Sequence, residues 1–286
     1  MSRPLRIVFP GAFYHITSRG NEKKDIFFSN EDRMLFLRVL GRVVEERNWI
    51  CHAYVLMTNH YHLLIETPDA NLSEGMRQLN GIYTQKINQR YGRVGHVLQG
   101  RFNAFLIEDE TYFLTVARYI VLNPLRTALV GDVCEYEWSS YLGTLGAVPK
   151  KTFLTTEKIL SLFSSHKHEA QKRYDDFVNA GRSEGSPFRG VKNGILGSDQ
   201  FVLEVCMDRE GDSRLMEVPR SQRILGRPSL RDIFSDGETK VERNALIYTA
   251  VLHCGYSFSE IARHVGLHYS QVGRIFRGLQ NAQCKT

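Results

Sequence analysis

The sequence is poor in cysteine, and its cysteines are scattered. The 286 residues include five cysteines, and none of them forms a CxxC pair. Neither a disulfide framework nor a thiolate zinc site is indicated, and a reducing compartment fits. No run approaches the ~18 apolar residues that span a bilayer. The N-terminal residues also lack an apolar stretch followed by a small-residue cleavage site. We therefore expect a cytoplasmic protein with no membrane partner.

What the chain does contain is an ordinary globular composition with a basic balance. Hydrophobic residues make up 42% and charged residues 24%, which excludes a disordered or fibrous protein. The formal net charge is +6 and the sequence pI is about 9.0. Because phosphate backbones are bound largely through charge, this balance favours a polyanionic partner such as a nucleic acid. A mildly basic protein without such a partner is the alternative.

Hydrophobic periodicity predicts alternating strands and helices in the first half of the chain. The last helix should end at Asn123-Pro124, because a residue before proline resists helical geometry. Such an order predicts an α+β fold, in which helices pack on an antiparallel sheet. The predicted strands are 12–18, 50–57, 60–66 and 102–108, and the predicted helices are 31–47, 72–91 and 109–122.

The pattern changes past about residue 148 and suggests three parts. Residues 1–148 form the α+β domain, 149–227 a helical connector, and 228–286 a helical module. Within the last two parts we expect helices at 156–180, about 198–209 and 228–234, with a linker at 181–187.

Two histidines in the predicted strand 60–66 are the first candidate site residues. Side chains alternate along a strand, so His60 and His62 point to the same face while Tyr61 points to the other. Two neutral imidazoles at this spacing can share a metal ion. A chance HxH triplet without function is the alternative.

A tyrosine and an asparagine on the helix that follows are the second candidate pair. Tyr119 and Asn123 are four residues apart and therefore lie on one helical face. The amide oxygen of Asn123 is a suitable third metal ligand. A phenol near a divalent cation that polarises a phosphate can act as a nucleophile. Tyr112, two turns earlier on nearly the same face, is the second candidate nucleophile. The alternative for Tyr119 is a tyrosine that only packs its ring in the core, on a helix that ends at Asn-Pro for capping reasons.

Taken together, these residues resemble the single-tyrosine HUH transposases, including the REP-associated tyrosine transposases. The resemblance covers about residues 1–148 and implies a ferredoxin-like palm whose metal is bound by His60, His62 and Asn123. It also implies that Tyr119 cuts and rejoins single-stranded or hairpin DNA through a covalent 5′-phosphotyrosine. The motifs that carry it are FYHITSRGNEKKDIF (13–27), VLMTNHYHLLIE (55–66), GHVLQGRFNAFLIE (95–108), YIVLNP (119–124) and EWSSY (137–141).

Compact transposases of this class end near the close of this domain, whereas this chain continues for more than a hundred residues. Autonomous mobility therefore stays open, and so does the choice between a monomer and a homodimer. The ligand types favour Mg²⁺ or Mn²⁺, with zinc as a further option. Candidates for contacts to the DNA backbone are Arg19, Lys23, Lys24 and Arg101.

The last forty residues follow the pattern of a helix-turn-helix. An amphipathic helix at 243–253 precedes a capping box formed by Ser257 and Glu260, and Gly266 marks the turn. The third helix should turn Val272, Ile275 and Phe276 inward. The pattern resembles the DNA-binding module at the C-terminus of the bacterial replication initiator DnaA. Its implied duplex-DNA contacts are Tyr269, Ser270, Gln271, Arg274 and Arg277, and a helical docking module is the alternative.

Three functional hypotheses follow from the sequence. The favoured one is a metal-dependent single-strand DNA endonuclease and strand transferase of the transposase type. The second is a hairpin-binding regulator whose nuclease domain is domesticated or inactive. The third is a hydrolase that uses water and leaves no covalent link. A DNA substrate and a denaturing gel separate the three.

Overall fold

We describe a computed structural model of the chain. It describes residues 7–108, 112–191, 194–198, 200–202, 205, 229–234, 239–252, 254 and 256–283. The chain divides into two compact units, one spanning Val8–Gly190 and the other formed chiefly by Val191–Thr286.

The first unit is built on antiparallel strands in the order β2-β3-β1-β4. All four strands predicted from the sequence are present, and the α+β class is confirmed. The strands are β1 (Ala12–Arg19), β2 (Ile50–Leu56), β3 (His60–Thr67) and β4 (Asn103–Ile107). The helices of this unit are α1 (Asn30–Glu46), α2 (Leu72–Arg90), α3 (Phe113–Val121), α4 (Asn123–Arg126), α5 (Tyr141–Leu145), α6 (Glu157–Ser161) and α7 (Lys167–Ala180).

One face of the sheet is buried in an aromatic and aliphatic core with α1 and α2. Tyr61 points to this face, and its ring lies 4.6 Å from that of Phe36 on α1. The Tyr61 hydroxyl donates a hydrogen bond of 2.6 Å to the side-chain oxygen of Asn80 on α2. Because Tyr61 is held in this core, its strand neighbours His60 and His62 are directed to the opposite face.

A glycine lets α2 approach the indole of Trp49, and this contact yields a stability prediction. A Cβ atom at Gly75 would fall inside contact distance of that buried ring, whereas one at Gly81 would meet nothing within 4 Å. We expect Gly75→Ala to destabilise the protein by about 1–3 kcal/mol through overpacking. Gly81→Ala, on the same helix, should be neutral or stabilising by up to ~1 kcal/mol through helix propensity. Chemical denaturation of both variants measures the difference, and equal stabilities would contradict this packing.

The helical path through Asn123-Pro124 differs from the prediction. After α3 ends at Val121 the chain continues into α4, so the helical direction is maintained through Arg126. Proline lacks the N–H that would bond the Ile120 carbonyl, but the side-chain nitrogen of Asn123 donates to that oxygen at 3.4 Å and to the Tyr119 carbonyl at 2.8 Å. The Asn123 amide thereby compensates for the proline.

The first unit extends beyond residue 148, the boundary expected from the sequence. It includes α5, α6 and α7, and α7 packs against the other two. The prediction of a single helix at 156–180 is wrong in one respect, because the chain forms two helices that are separated between Ser161 and Lys167. Ser164 explains the break, because its hydroxyl accepts the backbone N–H of His166 and lies 3.1 Å from the Glu169 carboxylate just before α7.

The second unit contains the expected run of three helices near the C-terminus. The capping box of Ser257 and Glu260 is present, and Gly266 has a φ of +66°, the left-handed conformation that ends a helix. Val272 and Phe276 are buried and Ile275 packs beside them, as predicted. The elements are β5 (Ile195–Leu196), α8 (Leu230–Ile233), α9 (Lys240–Leu252), α10 (Phe258–Val265) and α11 (Tyr269–Gln283).

Two predicted elements fall partly outside the described residues. These are the helix at about 198–209 and the helix at 228–234, whose predicted first residue, Pro228, lies outside the described residues. Within the described residues, no helix combines the length and the apolarity needed to cross a membrane.

Candidate active site

His60 and His62 lie side by side on the face of the sheet opposite Tyr61, the face on which helix α3 packs. Both are on β3, and their ring centroids are 5.0 Å apart. The antiparallel register places His62 opposite Thr17 and His60 opposite Arg19 of β1. The strand alternation predicted from the sequence therefore brings the two imidazoles together.

The hydrogen bonds of His60 define its tautomer. Asn59 donates its side-chain N–H to the Lys23 carbonyl at 2.9 Å, so its side-chain oxygen is the acceptor for His60. The Nδ1 of His60 lies 2.7 Å from that oxygen and must carry the proton. The lone pair of His60 is consequently on Nε2, where it can bind a cation.

A third histidine, His15 of β1, is bonded directly to His62. The Nε2 of His15 and the Nδ1 of His62 are 2.8 Å apart, and both rings are buried. The rings are nearly parallel at 9°, with centroids 5.0 Å apart, so the two nitrogen atoms lie between the rings. If His62 donates from Nδ1, its Nε2 is left with a lone pair. That Nε2 is buried and has no hydrogen-bond partner among the described residues.

Tyr119 on α3 lies over the same histidines. Its ring centroid is 5.9 Å from that of His62 and 6.0 Å from that of His15, with both ring pairs nearly perpendicular. The side chain is half-buried. Helix α3 packs on β2 and β3, and this packing brings a residue more than fifty positions away to the histidine pair.

A short 3₁₀ segment after the helices adds an aromatic ring to this cluster. Phe188, in Pro187–Gly190, has its ring 4.4 Å from that of His15 and 5.2 Å from that of Tyr119. The His15 ring is thus held by a hydrogen bond to His62 at its edge and by stacking against Phe188 on its face.

Sequence reasoning missed three residues of this cluster: His15, Phe188 and Arg126. The guanidinium carbon of Arg126 lies 4.7 Å from the centroid of the Tyr119 ring. The signal for His15 was present in the alternation of strand 12–18. Arg126 is seven residues, about two turns, beyond Tyr119 on a helical path that was expected to stop at proline. Phe188 gave no local signal, because it lies just past the predicted linker 181–187, in a stretch described only as part of the helical connector.

Asn123 is placed beside Tyr119 but is oriented by its own helix. Its side-chain nitrogen donates to the backbone carbonyls of Tyr119 and Ile120. This leaves the side-chain oxygen as the atom that could bind a cation. Tyr112, the second candidate nucleophile, is the half-buried residue that precedes α3.

The predicted backbone-contact residues are exposed, and they occupy different surroundings. Arg19 ends β1 opposite His60, which places one positive charge beside the histidine pair. Lys24 is paired with Glu22 at 2.6 Å. Lys23 and Arg101 are also exposed, Lys23 in the turn that holds Asn59 through its carbonyl.

The three clustered imidazoles are all neutral at physiological pH. Burial lowers the pKa of His15 to about 3. Burial, with a further contribution from the Arg19 charge, lowers the pKa of His60 to about 4. Burial and the two neighbouring histidines hold the pKa of His62 well below 6.5. Neutral imidazole is the form that binds metal.

These lowered pKa values predict that acid destabilises the metal-free protein. Each histidine binds a proton in the unfolded chain near pH 6.5 but stays neutral in the folded protein, so this stability is complete above pH 6.5 and is lost as pH falls. Between pH 7 and pH 5.5 we expect a loss of about 1 kcal/mol per histidine, or roughly 3–4 kcal/mol in total. Denaturant titrations in the presence of a chelator measure the loss, and a flat profile would contradict these environments.

The donor set fits a divalent cation held by two histidines and a ligand of another type. Among the described residues, no three His, Cys, Asp or Glu side chains form a metal-binding group, and His15 is turned toward His62 instead of toward a shared point. In the tautomer that keeps the His62 proton on Nδ1, the buried Nε2 of His62 offers a lone pair beside that of His60. A hydrogen-bonded second imidazole behind a ligand is a common way to fix a metal-binding tautomer.

The fold and this site define an α+β domain in which an HxH strand meets a helical tyrosine. Residues 9–123 match the model of the family described as "Transposase IS200 like". That part of the chain is therefore similar to IS200-like transposases. The match includes the histidine pair, Tyr119 and Asn123, and it ends before Arg126 and Phe188.

Solved structures with similarity to the chain include two described as transposases. One is a REP-associated tyrosine transposase bound to a REP hairpin, with 20% identity, a TM-score of 0.45, and coverage of 51% of this chain and 86% of the other. Another is a candidate transposase from Deinococcus radiodurans R1, with 14% identity, a TM-score of 0.31, and coverage of 42% and 95%. A search of curated proteins found no match.

Proposed function

We propose that this protein is a metal-dependent endonuclease and strand transferase that acts on single-stranded or hairpin DNA through Tyr119. The observation that carries the proposal is the position of the Tyr119 ring, 5.9 Å from the ring of His62 on the HxH strand. The match of residues 9–123 to the IS200-like transposase family model supports the same chemistry. Because these groups meet within one chain, a single copy can supply the whole site.

Each side chain has a definite task in this proposal. His60 and His62 would hold Mg²⁺ or Mn²⁺, with the side-chain oxygen of Asn123 as a further ligand. His15 keeps the proton of His62 on Nδ1, where the 2.8 Å contact lies. The cation, when bound, polarises the scissile phosphate. The packing of α3 keeps the Tyr119 phenol near that phosphate, so the attack is effectively intramolecular.

The reaction is a balanced transesterification. A bond forms between the Tyr119 oxygen and phosphorus, and the bond from phosphorus to the 3′ oxygen breaks. Overall, the phenolic proton is transferred to the leaving oxygen, so the products are a 5′-phosphotyrosine and a free 3′-hydroxyl. Attack by a 3′-hydroxyl on the tyrosyl phosphodiester reverses the step without ATP, which makes rejoining possible.

A denaturing gel with differently labelled DNA tests this function. The substrate is a single strand with an extruded hairpin, incubated with the full chain and Mn²⁺. A label on the 3′ end should move with the protein, whereas a label on the 5′ end should appear on a free, shorter fragment. Cleavage without an adduct would favour the water-using hydrolase. Binding without cleavage would favour the domesticated regulator.

The C-terminal unit is proposed to bind duplex DNA through the start of α11. Tyr269, Gln271 and Arg274 are exposed, with Tyr269 57% accessible, while Val272 and Phe276 form the core behind them. Ser270 is half-buried against His268, and exposed Arg277 donates to the Gly273 carbonyl. A helix with this exposed polar face fits a groove reader.

Arg274 gives a direct test of the duplex contact. Arg274→Ala should weaken duplex binding by about 1–3 kcal/mol if the guanidinium reads a base, with sequence preference relaxed at one position. If it only contacts phosphate, all sequences should weaken equally and the salt dependence should fall. Fluorescence anisotropy at several salt concentrations distinguishes these results. Arg231→Ala on α8 is the matched control, and unchanged binding by Arg274→Ala would oppose the proposal.

A further inference from the structure

Arg126 is a half-buried cation beside the proposed nucleophile. It is the last residue of α4, and its guanidinium carbon lies 4.7 Å from the centroid of the Tyr119 ring. The seven-residue spacing corresponds to about two helical turns, so both side chains lie on one face. This arrangement depends on the helical path continuing through Pro124.

Two N–H donors of the Arg126 guanidinium have no hydrogen-bond acceptor among the described residues. Its Nε and Nη1 atoms are buried, and neither has a hydrogen-bond acceptor in that part of the chain. Arg118, one helix earlier, shows the usual arrangement: it is paired with Glu184 and donates to the Phe177 carbonyl at 3.3 Å. Withdrawing a cation from water without an anion or acceptor is costly. The cost implies that an anion joins Arg126 in the functional state.

We propose that Arg126 binds the non-bridging oxygens of the phosphodiester that Tyr119 attacks, and this inference rests on the function proposed above. A guanidinium is planar, permanently charged and well matched to phosphate oxygens. Its position against the Tyr119 ring puts that charge next to the group that becomes bonded to phosphorus. Arg126 is then a catalytic residue in the strict sense, because it touches the reacting phosphate.

The charge balance of the step explains why such a group helps. As the Tyr119 oxygen approaches phosphorus and the 3′ oxygen departs, negative charge builds on the non-bridging oxygens and on the leaving oxygen. A preorganised cation in a partly dry site stabilises that charge more than it stabilises the bound substrate. Arg126 is therefore expected to affect the rate of adduct formation more strongly than DNA affinity.

The rival interpretation is that Arg126 only packs on the Tyr119 ring as a structural cation–π contact. The two interpretations differ in stability as well as in rate. Removing an unpaired buried charge should leave the unfolding temperature unchanged or raise it, whereas removing a structural contact should lower it. Arg118→Gln is the matched control, since it leaves the Glu184 carboxylate without its partner and should destabilise the fold.

The experiment measures single-turnover adduct formation by the full chain with Mn²⁺ and 3′-labelled hairpin DNA. Arg126→Gln should slow the step about 10²–10³-fold, and Arg126→Lys should recover part of that loss because it keeps the charge. DNA affinity, measured in a Tyr119→Phe background, should change less than about tenfold. A normal rate for Arg126→Gln would overturn the proposal, as would a rate loss that follows a fall in unfolding temperature. Absence of any adduct with the native protein would instead refute the proposed function.

Discussion

Tyr119→Phe is expected to abolish the covalent protein–DNA adduct while leaving DNA binding close to normal. The change removes only the oxygen that becomes bonded to phosphorus, and loss of a covalent nucleophile costs about 10³-fold or more in rate. The phenylalanine ring should keep its contacts with His62, Phe188 and Arg126. Adduct yield on a denaturing gel and affinity by anisotropy, measured on the same preparations, separate chemistry from binding.

Tyr112→Phe is the matched control for this result. Tyr112 is also half-buried and precedes the same helix, but no described ring contact joins it to the histidine cluster. The control should form adduct at the native rate. If Tyr119→Phe retains the adduct and Tyr112→Phe loses it, the nucleophile is misassigned. If both variants cleave as the native protein does and none forms an adduct, water is the nucleophile.

Local periodicity was sufficient to predict the part of the site that one strand carries. Alternation along 60–66 placed His60 and His62 on one face and Tyr61 on the other, as the period of two along a strand requires. The same alternation along 12–18 gave β1, and the four strands of the first unit were found at nearly their observed bounds. Strand patterning succeeded here because successive side chains alternate between the two faces of the sheet, and helices pack on both of them.

The partners that orient the site could not be predicted, because they depend on strand register and on long-range packing. His15 bonds His62 only because β1 pairs with β3 in the register that places Thr17 opposite His62. Arg126 lies beside Tyr119 on a helical path that continues past Pro124, where the Asn123 side chain donates to the Ile120 carbonyl that proline cannot bond. Neither fact can be read from a window of neighbouring residues.

In the proposed function, Asn123 serves both its helix and the metal site. Its amide nitrogen bonds the backbone of α3, which fixes the direction of the amide group. The side-chain oxygen of Asn123, which was predicted as a metal ligand, therefore belongs to an amide group whose direction is fixed by these hydrogen bonds. If the helix had simply ended at residue 123, the Asn123 amide would not be oriented in this way, and Arg126 would not lie on the same helical path as Tyr119.

Replacing the histidines should weaken metal binding in a graded way. His60→Gln and His62→Gln each remove a proposed ligand, and we expect Mn²⁺ affinity to fall by more than about 100-fold. His15→Gln removes only the group that fixes the His62 tautomer, and loss of such a partner typically costs about 10–100-fold. Calorimetry or Mn²⁺ electron paramagnetic resonance without DNA measures affinity independently of cleavage. Adduct formation should decline in the same order.

His96→Gln is the matched control, because His96 is exposed and outside the cluster. Its metal affinity should equal that of the native protein, and chelator-treated samples of every variant should show cooperative unfolding. A His15→Gln variant with native affinity would mean that the 2.8 Å contact between the two rings has no influence on metal binding. A loss as large as that of His62→Gln would make His15 a ligand in its own right, which its present orientation toward Nδ1 of His62 does not allow without a rotation of the ring. The size of the His15 effect therefore decides whether β1 supports the metal site or forms part of it.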